Sequence, residues 1–320
     1  MKVFVTGATG AIGSQLAPML VENGHEVVAM TRTPEKARLL LAFGAEPVVA
    51  DALDREAVRE AVVRAKPEAV VHQATALTGV FNLKHFARTF EQTNRLRTLG
   101  TDNLVAAARA AGARRFVVQG FAGWPYASDG SALRTEEDPF EPSPPEEMRS
   151  TVVALRHLET SVLGAEDPEG IVLRYGGFYG PGTSLGDGGA MVEGVRKRQL
   201  PIVGDGAGVA SFLHIEDAAA ATVVALERGP VGIYNIVDDE PAPASEWITE
   251  LAKAVGAKPP RRVPIWLAKP LIGEAGVWLM TKAPGASNAK AKRELGWTLR
   301  YPSWRIGFRH GSYEERAVGA

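Results

Sequence analysis

The chain has 320 residues, 45% of them hydrophobic, enough to bury a sizeable core in one large α/β domain or two smaller ones. Acids and bases nearly cancel, for a formal net charge of −1, and no block of one sign appears, which argues against a sequence-independent grip on nucleic acid. With no cysteine there are no disulfides, thiolate metal sites or cysteine nucleophiles; with no signal peptide or membrane-length apolar run, the expectation is a cytoplasmic protein that needs no membrane.

The first strand is KVFVT at 2–6, followed by a helix through SQLAPMLVENG. HEVVAMT is the second strand, PEKARLLLAFG the next helix, and EPVVA the third strand. A helix through DREAVREAVVRA leads to the run EAVVHQA, a helix through RTLGTDNLVAAARAAG, and the strand RRFVVQG. The aliphatic runs do not alternate cleanly with polar residues, so they predict strands buried on both faces of a parallel sheet covered by helices. That order of elements is the α/β doubly wound pattern. From about residue 125 the texture changes. YASDGSALRTEEDPFEPSPPEE is polar and proline-rich, as in a surface loop. A helix at 149–164 and one more buried strand, GIVLRYGG, precede the glycine-rich stretch FYGPGTSLGDGGA and a remainder of short, proline-punctuated elements. The expected organisation is a dinucleotide-type domain over 1–175, with returns near 212–237, and a smaller mixed lobe from 176–211 and 238–320.

TGATGAIG joins the first strand to the first helix. Gly7 permits a tight turn, Gly10 lets the backbone approach a pyrophosphate, and Gly13 lets helix and strand pack closely. Thr9, Ala11 and Ile12 lie between them, where a helix N-terminus offers free N–H groups and partial positive charge. A glycine triplet alone also fits a turn without a ligand; after an N-terminal strand and at the start of a helix it is specific. The second strand chooses the dinucleotide. An acid at its end would serve the ribose 2′-hydroxyl of NAD, whereas Thr31, Arg32 and, one turn on, Lys36 suit a 2′-phosphate. NADP(H) is expected over NAD(H), the competing reading being that Arg32 and Lys36 are solvated surface charges.

At this point the chain resembles the short-chain dehydrogenase/reductase superfamily, in particular its extended group of NAD-dependent epimerases and dehydratases. TGATGAIG is similar to that group's TGxxGxxG loop, VVADALD to the segment after its third strand, and VVHQATA to its HxAA run. NRLRTLGTDNLVAAA resembles the N-x-x-GTxNLL helix, LRYGGFYGPG the LRxxNVYGPG turn, and FLHIEDAAAA the FxHVxDxAxA segment; KRELGW near the C-terminus is also typical. The resemblance implies a Rossmann domain, a C-terminal substrate lobe and a nicotinamide in the cleft between them. It places Asp51 and Ala52 toward the adenine, and Gln73, Ala74, Thr75, Asn94 and Tyr175 along the rest of the cofactor.

The same resemblance exposes a loss. The family moves protons with a serine after the fifth strand and a Tyr-x-x-x-Lys helix, whose lysine lowers the tyrosine pKa. Aligned through Glu159, the tyrosine and lysine positions hold Thr151 and Leu155, and aligned through Pro125-Tyr126-Ala127 the serine position holds Ala122; no lysine lies between Lys84 and Lys197 to repair the alignment. Sugar-nucleotide members also use an arginine and an asparagine where this chain has Ala210 and Gly177, which points to a smaller substrate. Tyr175 and Tyr126 are the remaining candidate acids, each with a competing packing role. His72, His214 and Tyr179 read as structural and His157 as exposed at the side of its helix, and the scattered histidines show no metal-ligand spacing. The expected function is an atypical NADP(H)-dependent oxidoreductase or isomerase lacking the Ser/Tyr-Lys triad and acting on a small carbonyl or hydroxyl substrate. The alternative is a catalytically silent NADP(H)-binding sensor or regulatory protein. A homodimer through helices at about 90–111 and 146–164 is what the resemblance implies for assembly.

Overall fold

Aliphatic runs with no polar face have nothing to offer water, and in the computed structural model, which describes residues 1–77 and 82–310, they lie side by side in one parallel sheet. Its strands are β1 Lys2–Thr6, β2 Glu26–Thr31, β3 Glu46–Val49, β4 Ala69–His72, β5 Arg115–Phe121, β6 Glu169–Tyr175 and β7 Gly232–Ile236. They are ordered β3-β2-β1-β4-β5-β6-β7. The direction of winding reverses between β1 and β4, which opens a crevice at the carboxyl ends of those strands.

Consecutive residues of β1 belong to different cores. Val3 and Val5 pack with Leu16 and Leu20 of α1 (Gly13–Glu22), while Phe4 packs with Val58 and Val62 of α3 (Arg55–Ala65) on the other face. The short α2 (Ala37–Ala42) lies between β2 and β3. The sequence signals a helix only from Arg97, but α4 (Phe86–Arg95) begins earlier and runs through a π turn at Leu96–Gly100 into α5 (Thr101–Ala110). FARTFEQTNR has too few aliphatics to announce itself; Phe86 and Phe90 bury its inner face. α6 (Glu146–Leu163) covers the same side of the sheet through Leu158 and Val162.

A third core gathers Tyr179, Ile202 and Phe212 with Val192 and Val195 of α7 (Ala190–Arg196). α8 (Ile215–Arg228) instead returns to the sheet beside α1. Trp247, Ile248 and Leu251 of α9 (Ala244–Ala254) complete the lobe's centre with Met280 of α10 (Ile265–Thr281) and with Trp304 and Phe308 of α12 (Trp304–His310). Ala291 and Leu295 of α11 (Ala289–Leu295), placed by the sequence in the lobe, pack with Trp297 in the first sheet core. The proline-rich 126–147 stretch is more than the expected surface loop: Tyr126 and Phe140 are buried, and Leu133–Arg134 pairs with Gly285–Ala286. Its apolar residues are too sparse to form a pattern, yet each of these finds a slot.

His72 ends β4 and ties three segments together. Its Nδ1 accepts from the Thr6 hydroxyl at 2.8 Å while Nε2–H donates to the Leu96 carbonyl at 3.3 Å, so the ring is neutral. Burial pushes its pKa down from 6.5 to about 4. The unfolded chain therefore binds a proton that the fold refuses. His72 contributes stability above pH 6.5, and that contribution is lost as pH falls toward 4. The loss is expected to be on the order of 3 kcal/mol, and urea melts at pH 7 and pH 4 should show it shrinking in His72→Gln.

Candidate active site

The first loop has the shape that a dinucleotide needs. Gly7 has φ 75°, and a Cβ there would lie 2.6 Å from the Gln73 backbone. A Cβ on Gly13 would lie 2.2 Å from the Gly7 carbonyl oxygen and 2.4 Å from Ala8 Cα, so only glycine lets α1 start this close to β1. Gly10 and Ala11 are exposed, with Thr9 half-buried beside them and Ile12 buried below. Among the described residues no protein group accepts from the backbone N–H of Ala11, Ile12 or Gly13, and no acid occupies the first turn of α1. Those donors and the positive end of the helix suit a pyrophosphate.

At the end of β2, the Thr31 hydroxyl is occupied locally, accepting from the Thr33 N–H at 3.2 Å. It braces the turn that leaves Arg32 and Lys36 exposed, neither with an ion-pair partner among the described residues. Asp51 accepts from Leu53 N–H at 3.0 Å, and Ala52 is buried with its carbonyl accepting from Asn103. Gln73 is buried with its Oε1 unpartnered, and Ala74 and Thr75 follow it half-buried toward the cleft. Asn94 does not point freely at a ribose, because its Nδ2–H donates to the Thr151 hydroxyl at 3.0 Å. These groups fit a bound nicotinamide dinucleotide.

The three positions that the resemblance aligns with the triad carry no ionisable side chain. Ala122 and Leu155 belong to one buried cluster with Phe86, Phe90, Trp124 and Val152, and Thr151 is fully buried. Leu77, Leu83, Phe121, Trp278 and Leu279 pack against that cluster, which is apolar and rich in aromatics.

Both candidate phenols are corrected by their surroundings. Tyr175 has 0% exposure: Gln73 Nε2–H donates to its oxygen at 3.1 Å, and its own proton goes to Thr222 at 2.6 Å, which donates in turn to the Ala218 carbonyl. Burial pushes this phenol up to about 12. Tyr126 has 0% exposure as well; it donates to Asn235 Oδ1 at 2.6 Å and accepts from Arg174 Nη1 at 2.7 Å. Burial outweighs the adjacent guanidinium and pushes it to about 12. Neither hydroxyl is available to a substrate. Tyr179 is buried as expected, packed edge-on against Phe308, and His157 is half-exposed on Asp102. Among the described residues no group of acids and histidines could hold a metal.

Two groups escaped sequence reasoning. Glu147 Oε2, beside Gly273 and Lys84, and Trp278 Nε1, at the edge of the apolar cluster, are buried without a partner. Glu147 lies one helical turn before Thr151, so the stripe Glu147, Thr151, Leu155 was a usable signal. Trp278 had none, since only the tertiary fold brings α10 to α6.

Residues 3–237 match the model of the NAD dependent epimerase/dehydratase family. A 3-diazoavenalumate denitrifying reductase from Streptomyces sp is 45% identical over 312 residues, covering 96% of this chain and 99% of the relative. A 2-alkyl-3-oxoalkanoate reductase from Stenotrophomonas maltophilia (strain K279a) is 31% identical over 274 residues, 80% of this chain and 76% of that protein. Among solved structures, the UDP-glucose 4-epimerase of Thermus thermophilus, complexed with NAD, superposes with a TM-score of 0.73 at 25% identity, covering 97% of each chain.

The helix that carries the altered positions is anchored by a buried ion pair. Arg174 Nε and Nη2 donate to the two Glu159 oxygens at 2.6 and 2.7 Å, with both side chains nearly hidden. Burial opposes the guanidinium's charge, but the Glu159 carboxylate holds its pKa above the ordinary arginine value. Glu159→Ala strands that charge and is expected to cost about 3–5 kcal/mol in urea denaturation, most of it recovered when Arg174→Met is added.

Proposed function

The chain belongs to the NAD dependent epimerase/dehydratase family, and on that footing we propose that it is an NADP(H)-dependent reductase that strips the diazo group from a small carboxylate without an enzymatic proton donor. What supports this reading is a glycine loop shaped for a dinucleotide together with Ala122, Thr151 and Leu155, none of them ionisable, at the positions that the resemblance aligns with a proton-transfer triad.

Charge is the deciding factor. Reducing a carbonyl builds an alkoxide, which requires a positioned acid or oxyanion stabiliser. Leu155 is aliphatic, Thr151 is engaged by Asn94, and Tyr126 and Tyr175 have committed their protons elsewhere. A diazonium poses no such demand, because it enters carrying the positive charge that a hydride cancels. A reduced nicotinamide, when bound, would supply that hydride; R–N2⁺ would become the diazene R–N=N–H, which would release N2 and leave R–H, so atoms and electrons balance without an added proton. The similarity to the diazoavenalumate reductase supports the substrate class.

The chain's own residues then bind, orient and exclude water. The Ala11, Ile12 and Gly13 N–H groups would hold the pyrophosphate, and Arg32 and Lys36 would take the 2′-phosphate. The aromatic residues Phe86, Trp124 and Trp278 would accept a flat conjugated substrate and keep water from it. Trp278 Nε1–H is an unspent donor for the substrate's carboxylate.

The test is incubation with NADPH and a phenol-derived arenediazonium carboxylate, following nicotinamide absorbance and N2 release. One N2 per NADPH is expected, with aldehydes, ketones and enones about 100-fold slower or more. Turnover of carbonyls alone contradicts the diazo assignment, and tight NADPH binding with no turnover on either class favours a silent binding protein. For the cofactor, Arg32→Ala with Lys36→Ala is expected to weaken NADPH about 10- to 100-fold while moving NADH by less than about threefold, read by fluorescence titration.

A further inference from the structure

Thirteen large hydrophobic side chains are exposed among the described residues, and four of them fall within seven positions: Ile265 at 46%, Trp266 at 74%, Leu267 at 47% and Leu271 at 67%. All four are on the first half of α10. That half is set apart by a break at Gly273, whose φ of 73° interrupts the helix. A Cβ at Gly273 would meet Lys84 Cα and Glu147 Oε2 at 3.1 Å, so the second half can close onto the Leu83–His85 segment while the first half projects. Ala268 is buried; Trp266, Leu267, Pro270 and Leu271 face outward.

The charges carried by the segment itself are of one sign. The stretch GAKPPRRVPIWLAKPLIG, 256–273, carries Lys258, Arg261, Arg262 and Lys269 and no acid, in a chain whose net charge is −1. All four cations are exposed. Glu274, just past the break, is paired with Lys269 at 2.6 Å. An indole and leucines at the tip, with a basic margin, is the arrangement that settles into the headgroup layer of a membrane: the apolar groups enter the acyl boundary and the cations meet anionic lipid.

We propose that the first half of α10 docks this protein peripherally on an anionic phospholipid bilayer, through Trp266, Leu267 and Leu271 with Arg261 and Arg262 on the lipid phosphates. A second copy of the chain is a poorer occupant, since a twofold contact here brings two sets of like charges together. This is surface binding: no helix among the described residues is long and apolar enough to cross a membrane. It does not depend on the reaction proposed above, although α10 also carries Trp278 at the edge of the apolar cluster, so one helix joins the exposed patch to that cluster.

The experiment is vesicle flotation of the full chain with NADPH, comparing phosphatidylglycerol/phosphatidylcholine vesicles with pure phosphatidylcholine. Binding to the anionic vesicles is expected to be about tenfold stronger or more, and to weaken as salt rises. Trp266→Ser with Leu267→Ser and Leu271→Ser, and separately Arg261→Glu with Arg262→Glu, should each reduce it about tenfold, with NADPH affinity kept within about twofold as the check on folding. Absence of binding to anionic vesicles overturns the proposal, as does binding that both variants leave unchanged. A dimer that the serine variant dissolves, without vesicle binding, overturns it in favour of a second copy.

Discussion

The pair formed by Arg174 on β6 and Glu159 on α6 sets the chemistry of everything above it. A buried bidentate contact of this kind is intolerant of rotation: turning α6 about its axis would strand two charges in an apolar core. With Glu159 fixed on the sheet, Leu155 and Thr151 face inward at successive helical turns, and the cleft receives an aliphatic group and an already bonded hydroxyl. The same guanidinium reaches Tyr126 and lies over the Tyr126 and Phe140 rings, which turns the nearest phenol into a structural post. One ion pair thereby fixes both which face of α6 turns inward and how the Tyr126 hydroxyl is engaged.

The cofactor end was legible because its requirements are local. Gly7, Gly10 and Gly13 follow a strand and open a helix, and the close contact of Gly13 with the Gly7 carbonyl is a backbone constraint that any reader of the spacing can anticipate. The absence of an acid at the β2 corner is likewise written at Thr31, Arg32 and Lys36. The gap from Lys84 to Lys197 is a property of the sequence itself: no shift of alignment brings a lysine to the position that the resemblance assigns to Leu155.

What escaped the sequence was decided by partners far along the chain. Tyr175 ends a strand near the expected nicotinamide, but whether its hydroxyl faces the cleft depends on Thr222, 47 residues later. Tyr126 depends on Asn235 in the same way, 109 residues away. Pattern reading assigns an element and a face; it does not assign a hydroxyl to its acceptor. The 126–147 stretch was misjudged as loop because proline and acidic residues dilute Tyr126 and Phe140, and the helical run from Phe86 was missed because two aromatics are too few to show a period.

The proposed reaction pairs hydride with an electrophile that ends uncharged, so that no proton is asked of Tyr126, Tyr175 or Thr151. The timing of proton and hydride is therefore decisive. Single-turnover rates of NADPH oxidation should be measured with the diazonium substrate, using 4-deuterated NADPH in water and ordinary NADPH in D2O. A primary isotope effect is predicted from the deuterated cofactor and none from the solvent. A solvent isotope effect on the hydride step that disappears in Tyr126→Phe or Tyr175→Phe would contradict this mechanism, by showing that a buried phenol delivers a proton after all.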